Sequence, residues 1–159
     1  MKLGFISLLA GVAAAAVLGT AGQSFAGEFD GVTVNILTRP GPVIAKPLVD
    51  HGKVFTEMTG AEIRVNEVPF AEIFQKLLTD WATGTNSIDV GVFASGWAVE
   101  LVDGDLVENL DPYIAKDDKI DIDDIAPYFR EFGQKVGGKT KLLMVDGDFQ
   151  MVYYRKDVL

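Results

Sequence analysis

The sequence contains no cysteine and one histidine, His51. Without thiols there is neither a disulfide framework nor a thiolate metal site. A lone imidazole with no partner ligand one helical turn away makes no histidine metal site either, and His51 reads as a helix-surface residue. Positive charge is also scarce. Fourteen Lys and Arg stand against 23 Asp and Glu, a formal net charge of −9, which repels phosphate backbones. No basic stripe interleaved with aromatics offsets that repulsion, so nucleic acid is excluded as a partner. Nucleophile-elbow, Walker-loop and dinucleotide glycine fingerprints are missing, so no cofactor is expected. Low-complexity tracts and internal repeats are absent beyond the leader.

What is present begins with that leader. Lys2 precedes an apolar run over residues 3–18, and Ser24-Phe25-Ala26 puts small residues at the two cleavage-reading positions, so residues 1–26 read as a secretory signal. A membrane anchor is the competing reading. The run falls short of the roughly 20 apolar residues a span needs, and Gly4, Gly11 and Gly19 interrupt it. No amino-terminal Cys offers lipid attachment, so the exported chain is expected to be soluble and to rely on a packed core for stability.

Residues 32–38 run apolar through Val32, Val34, Ile36 and Leu37, as a strand covered on both faces does, and end at Arg39-Pro40-Gly41-Pro42. Residues 47–59 repeat apolar side chains near helical spacing, with Pro47 in the first turn and Gly60 at the C-cap position. Residues 61–68 alternate, which predicts a strand with a wetter face or an edge position. Phe70, Ile73, Phe74, Leu77, Leu78 and Trp81 recur at i, i+3, i+4, i+7, i+8 and i+11, with Glu72 and Lys76 paired on the opposite face. Residues 88–93 make a third apolar strand, and a short helix after Ala94-Ser95-Gly96-Trp97 ends at Gly104. Three strand–helix units in succession predict a parallel sheet with right-handed crossovers and helices on both faces. Further on, residues 106–110 suggest a short strand. Ile125, Tyr128, Phe129, Phe132 and Val136 suggest one face of a helix ended by Gly137-Gly138. Residues 139–145 and 149–154 suggest two strands flanking the turn Asp146-Gly147-Asp148.

Several residue patterns together are similar to the periplasmic, sugar-type solute-binding proteins that serve ATP-driven importers. They are Phe55-Thr56-Glu57-Met58-Thr59-Gly60 before a β-branched strand, Ile88-Asp89-Val90 leading to Ser95-Gly96-Trp97, Leu106-Val107-Glu108-Asn109-Leu110-Asp111, and Asp146-Gly147-Asp148 followed by Tyr153-Tyr154-Arg155-Lys156-Asp157. They span nearly all of the chain after the leader. The resemblance implies an α/β clamshell, the type II periplasmic-binding-protein fold, in which two doubly wound, mainly parallel lobes are joined by crossing strands and hold the ligand between them. It also implies that residues 27–152 form the N-terminal lobe, incomplete because that lobe receives a later returning strand. Residues 153–159 then open a second lobe, so the sequence reads as truncated at the hinge. Implied partners are a small-molecule solute, a sugar by the same resemblance, and the transmembrane permease subunits. The implied location is the periplasm, and the receptor is expected to be a monomer and not an enzyme. Lys141-Leu142-Leu143-Met144 departs from the aromatic-Gly-apolar-Pro run found in the family just before the Asp-Gly-Asp turn.

In doubly wound sheets, ligands sit beyond the carboxyl ends of the strands. Four loops qualify: residues 38–42, 69–70, 94–97 and 146–148. The candidate ligand-binding residues are Arg39, Pro40, Gly41, Phe70, Ser95, Gly96, Trp97, Asp146 and Asp148. A sugar needs polar acceptors beside an aromatic platform, which Trp97 and the two aspartates supply, while the planar fork of Arg39 suits an acidic group. Each has a plainer reading. Trp97 opens a helix and packs equally well inward, Asp146 and Asp148 serve as turn residues, and Arg39 before proline is held extended and solvated. Trp81 lies on the core stripe. The aspartates of residues 117–124 lack the glycine and distal glutamate of a calcium loop and read as an acidic linker, so no metal site is expected. The competing functions are an exported hydrolase using two carboxylates, with Glu67 or Asp146 as candidates, and a degenerate fragment that binds nothing.

Overall fold

The computed structural model describes residues 27–117, 119–147 and 151–158. The leader, Asp148 and the start of the expected strand over residues 149–154 lie outside the described residues.

The first half follows the sequence periodicities closely. β1 (Thr33–Thr38) becomes progressively more buried along its length, so that Ile36, Leu37 and Thr38 are all covered. α1 (Ala45–Thr59) follows and stops at Gly60, whose φ of 83° is the left-handed C-cap conformation that favours glycine. β2 (Glu62–Glu67) pairs in parallel with β1 over its whole length, from Thr33 against Glu62 to Thr38 against Glu67. After Pro69, α2 (Phe70–Ala82) carries the chain to β3 (Val90–Gly91), which pairs in parallel on the other side of β1, with Ile36 against Val90 and Leu37 against Gly91. Backbone bonds from Asp89 N to Asn35 O at 3.0 Å and from Val92 N to Leu37 O at 2.8 Å extend that pairing. The sheet order is therefore β2-β1-β3.

Strand alternation assigns the two helices to opposite faces. Ile63 lies beside Val34 and so shares the face of Ile36 and Thr38. A side chain at Gly52 of α1 would meet Ile63 at 3.0 Å, which places α1 on that face. Leu37 points the other way and forms the core with Ile73 and Leu77 of α2. A Cβ at Gly91 would lie 2.7 Å from Leu77, so helix and strand approach as closely as they do because residue 91 has no side chain. The expected doubly wound, parallel α/β architecture is thus observed.

The second half differs more from the periodicity. A 3₁₀ turn (Ser95–Trp97) leads into α3 (Ala98–Asp103), with Leu101 fully buried. Residues 106–110 form no strand. Instead Leu110 N donates to Thr140 O at 2.8 Å, and α4 (Asp111–Ile114) starts at once. The acidic stretch forms a 3₁₀ turn (Ile122–Asp124) capped by Asp121. The helix expected to run to Val136 is shorter: α5 (Pro127–Phe132) ends at Gly133. Gly137-Gly138 is not a helix stop but the tip of a hairpin between β4 (Lys135–Val136) and β5 (Lys139–Thr140). Both glycines have positive φ, 60° and 77°, as a type I′ turn requires. The longer strand expected over residues 139–145 stops at Thr140. Residues 151–154 are not in a strand and are exposed. An isolated strand has no ladder to hold it, and these residues meet no pairing partner among the described residues.

Candidate functional site

The sheet order fixes where a site forms. The chain leaves β1 through α1 toward one side and returns through α2 to the other, so the connections diverge between β1 and β3. In open α/β sheets the crevice at that divergence, outside the carboxyl ends of the strands, receives the ligand. Arg39 follows β1 and Ser95 follows β3, and both border an open cavity of about 1310 Å³. Ile44 at the N-cap of α1, Leu48 within it and Phe70 of α2 extend the near wall, while Tyr128, Phe132 and residues 142–146 form the far wall.

Four of the residues singled out from the sequence meet around this cavity: Arg39, Phe70, Ser95 and Asp146. Pro40, Gly41 and Gly96 are exposed in the adjoining loops and do not line it. Trp97 packs inward. Its ring stacks on Phe70 at a centroid distance of 4.9 Å and an interplanar angle of 27°, lies 5.5 Å from Phe74, and rests against the Leu37–Ile73–Leu77 core. On the near wall, the aromatic surface offered to the cavity is therefore Phe70, at 48% exposure, with Trp97 as its support. Trp81 is a core residue, as its place on the stripe predicts, and its indole N–H donates to Ile88 O at 2.7 Å.

Polar anchors hold β3 and the loops that border the cavity. Asp80, at the end of α2, accepts hydrogen bonds from the Ser87 hydroxyl, from Ser87 N at 3.2 Å and from Ile88 N at 3.1 Å. The Ser87 hydroxyl and then the backbone N–H groups hold its carboxyl below the usual carboxylate range, against the opposing effect of burial. The loop into β3 is thereby fixed to α2. Asp89 accepts from Asn35 N at 2.7 Å and from the Asn35 amide at 3.3 Å, which ties β3 to β1. Lys141 donates its ammonium to Val107 O at 2.8 Å. None of these anchors was legible in the sequence, because each depends on how a loop or a distant stretch folds back and not on spacing along one element. Tyr128 and Phe132, expected on one apolar helix face, stand 66% and 77% exposed on the far wall. Among the described residues no group of three His, Asp or Glu side chains is placed to hold a metal ion.

A half-open cavity lined by the rings of Phe70, Tyr128 and Phe132, the Ser95 hydroxyl, the carboxylates of Asp89, Asp105, Glu108 and Asp146, and the Arg39 guanidinium suits a small molecule that presents both apolar C–H faces and hydroxyls. The sequence model described as bacterial extracellular solute-binding protein matches residues 52–159. An erythritol/L-threitol-binding protein of Mycolicibacterium smegmatis is 35% identical over 86 residues, covering 53% of this chain and 17% of its own length. A putative binding protein of Brucella abortus is 28% identical over 154 residues, covering 95% of this chain and 34% of its own length. The chain thus spans about a third or less of these relatives. Among solved structures, an ABC transporter solute-binding protein from Agrobacterium radiobacter K84, in complex with ribitol, superposes with a TM-score of 0.65 at 22% identity, over 70% of this chain and 28% of that one. That last likeness is one of fold.

Proposed function

The chain belongs to the bacterial extracellular solute-binding proteins, and from that premise we propose that it is the receptor part of an importer, holding a sugar or sugar alcohol at the β1/β3 crevice. Phe70 supplies the apolar platform, while Ser95 and Asp146 supply hydrogen-bonding groups for hydroxyls. The binding is not followed by chemistry. The solute is passed to the membrane subunits of an ATP-driven permease from an exported, periplasmic location. The observation that carries this reading is the convergence of Arg39, Phe70, Ser95 and Asp146, from four separate stretches of sequence, on one open cavity. The polyol named for each of two similar proteins, one of them similar in fold alone, adds support for the solute class.

This wall of the site is proposed to be completed by a second lobe closing over it, since a pocket that buries most of a ligand needs surfaces on both sides. The test is a thermal-shift series with tetritols, pentitols and simple sugars at millimolar concentration. A raised melting temperature with a polyol, unchanged solute afterwards, and loss of the shift in Phe70→Ala support the reading. Release of a reaction product would contradict it, as would the absence of any shift across the series.

A further inference from the structure

The carboxyl end of β1 carries an unused positive site. Arg39 is half-buried on the cavity wall and, among the described residues, its guanidinium has neither an ion pair nor a hydrogen bond. The nearby cations are engaged: Lys46 pairs with Asp50 one turn along α1, and Lys141 donates to Val107 O. The fifteen-residue α1 begins beside Arg39, with no acidic residue in its first turn and no side-chain cap at its N-terminus, and its Ile44 and Leu48 line the same cavity. The positive end of its dipole is therefore uncompensated there. Thr38, immediately before Arg39, shares the α1-facing side of the sheet with Ile36. Its hydroxyl is fully buried at that corner with no hydrogen-bond partner. A buried hydroxyl without a partner is costly unless something supplies one. An unpaired guanidinium and an uncapped helix start thus border one cavity, with the orphaned Thr38 hydroxyl buried beside Arg39 in sequence but outside the cavity lining.

We propose that Arg39 at the β1–α1 corner gives the site a preference for a solute that carries a carboxylate, so that a sugar acid binds more tightly than the neutral polyol of the same carbon skeleton. The proposal rests on the solute-binding reading and narrows its ligand class. A carboxylate matches the two parallel N–H groups of the guanidinium, and its charge is favoured at the start of α1. The remaining carbons and hydroxyls extend toward Phe70, Ser95 and Asp146. A neutral polyol makes the second set of contacts but leaves Arg39 as it stands.

The test is an amide NMR titration of the chain with ribonate and, separately, with ribitol, which shares its five-carbon skeleton. Ribonate is expected to bind about 10-fold or more tightly, the scale of one charge-assisted bidentate contact. Arg39→Gln is expected to bring the ratio of the two affinities close to one, and Arg39→Lys to retain part of it. If Arg39→Gln fails to fold, the wild-type ratio still decides, because it should fall as salt is raised from 20 to 500 mM. A ratio of one or less, a ratio indifferent to salt, or a preference that survives in Arg39→Gln overturns the proposal while ribitol binding leaves the solute-binding reading standing. Failure of both ligands to bind overturns both.

Discussion

The two halves of this chain treat their apolar residues differently. Every buried apolar residue of the core, from Ile36 and Leu37 through Ile73 and Leu77 to Leu101, lies at or before residue 101. Beyond it, the buried residues among those described are Gln134 and Thr140, both polar. Tyr128, Phe132, Val145 and Val152 stand 62% or more exposed. The β1-to-α3 half covers its sheet with a helix on each face and holds the buried apolar core among the described residues. The later residues stand as a wall beside the open edge of β3, and Tyr128, Phe132 and Val145 line the cavity. Stability is thus expected to reside in the first half, with the second half responding mainly to what occupies the cavity.

That difference is measurable by denaturant unfolding. The largest effect is expected at Leu77, fully buried between β1 and α2, where Leu77→Ala should cost about 2–5 kcal/mol. The matching change on the far wall, Phe132→Ala at a residue 77% exposed, should stay within about 0.5 kcal/mol. Similar losses at the two positions would remove the distinction between scaffold and wall.

A smaller loss, about 1–3 kcal/mol, is expected for Asp80→Ala, which strands Ser87 N and Ile88 N at the entry to β3. Its pH dependence has a defined sign. Hydrogen bonds lower the folded carboxyl below its ordinary value of 3.8, so the stabilisation is fully present above that value. It is lost as pH falls through the lower, folded value. Wild type and Asp80→Ala should therefore converge in stability below pH 3.8 and separate above it. A constant gap down to strong acid would show that the carboxylate charge is not what holds the loop.

A modest effect belongs to the hairpin. Gly138→Ala, at φ 77°, forces a side chain into the left-handed region at about 1 kcal/mol. Because β4–β5 is outside the core, the amide-exchange protection of β1 and β2 should be unchanged. Loss of protection there would join the two halves into one cooperative unit.

The sequence was legible where its periodicity was satisfied by neighbours within the same stretch. The i, i+3, i+4 series from Phe70 to Trp81 became α2, and the alternation before Val68 became β2, because α1 and α2 cover the sheet these elements build. It misled where an apolar face lacked such cover. Ile125 to Val136 has helical spacing, yet Gly133 ends α5 and the twin glycines that resembled a stop turn a hairpin. The site was half legible. Residues after strand ends could be named from the rule that loops there face ligands, which located Arg39, Phe70 and Ser95. The inward packing of Trp97 depends on Phe70 and Phe74 reaching it from another element, and spacing along the chain carries no trace of that.

The central claim is that the β1/β3 crevice of this chain holds a small polyhydroxylated solute. Amide chemical-shift mapping with a saturating polyol or sugar acid tests it most directly. The account predicts perturbations at Arg39, Phe70, Ser95 and Asp146, with the β2 edge from Glu62 to Glu67 silent. Perturbations confined to the β2 edge or the exposed face of α1, with the crevice amides unmoved, would contradict it.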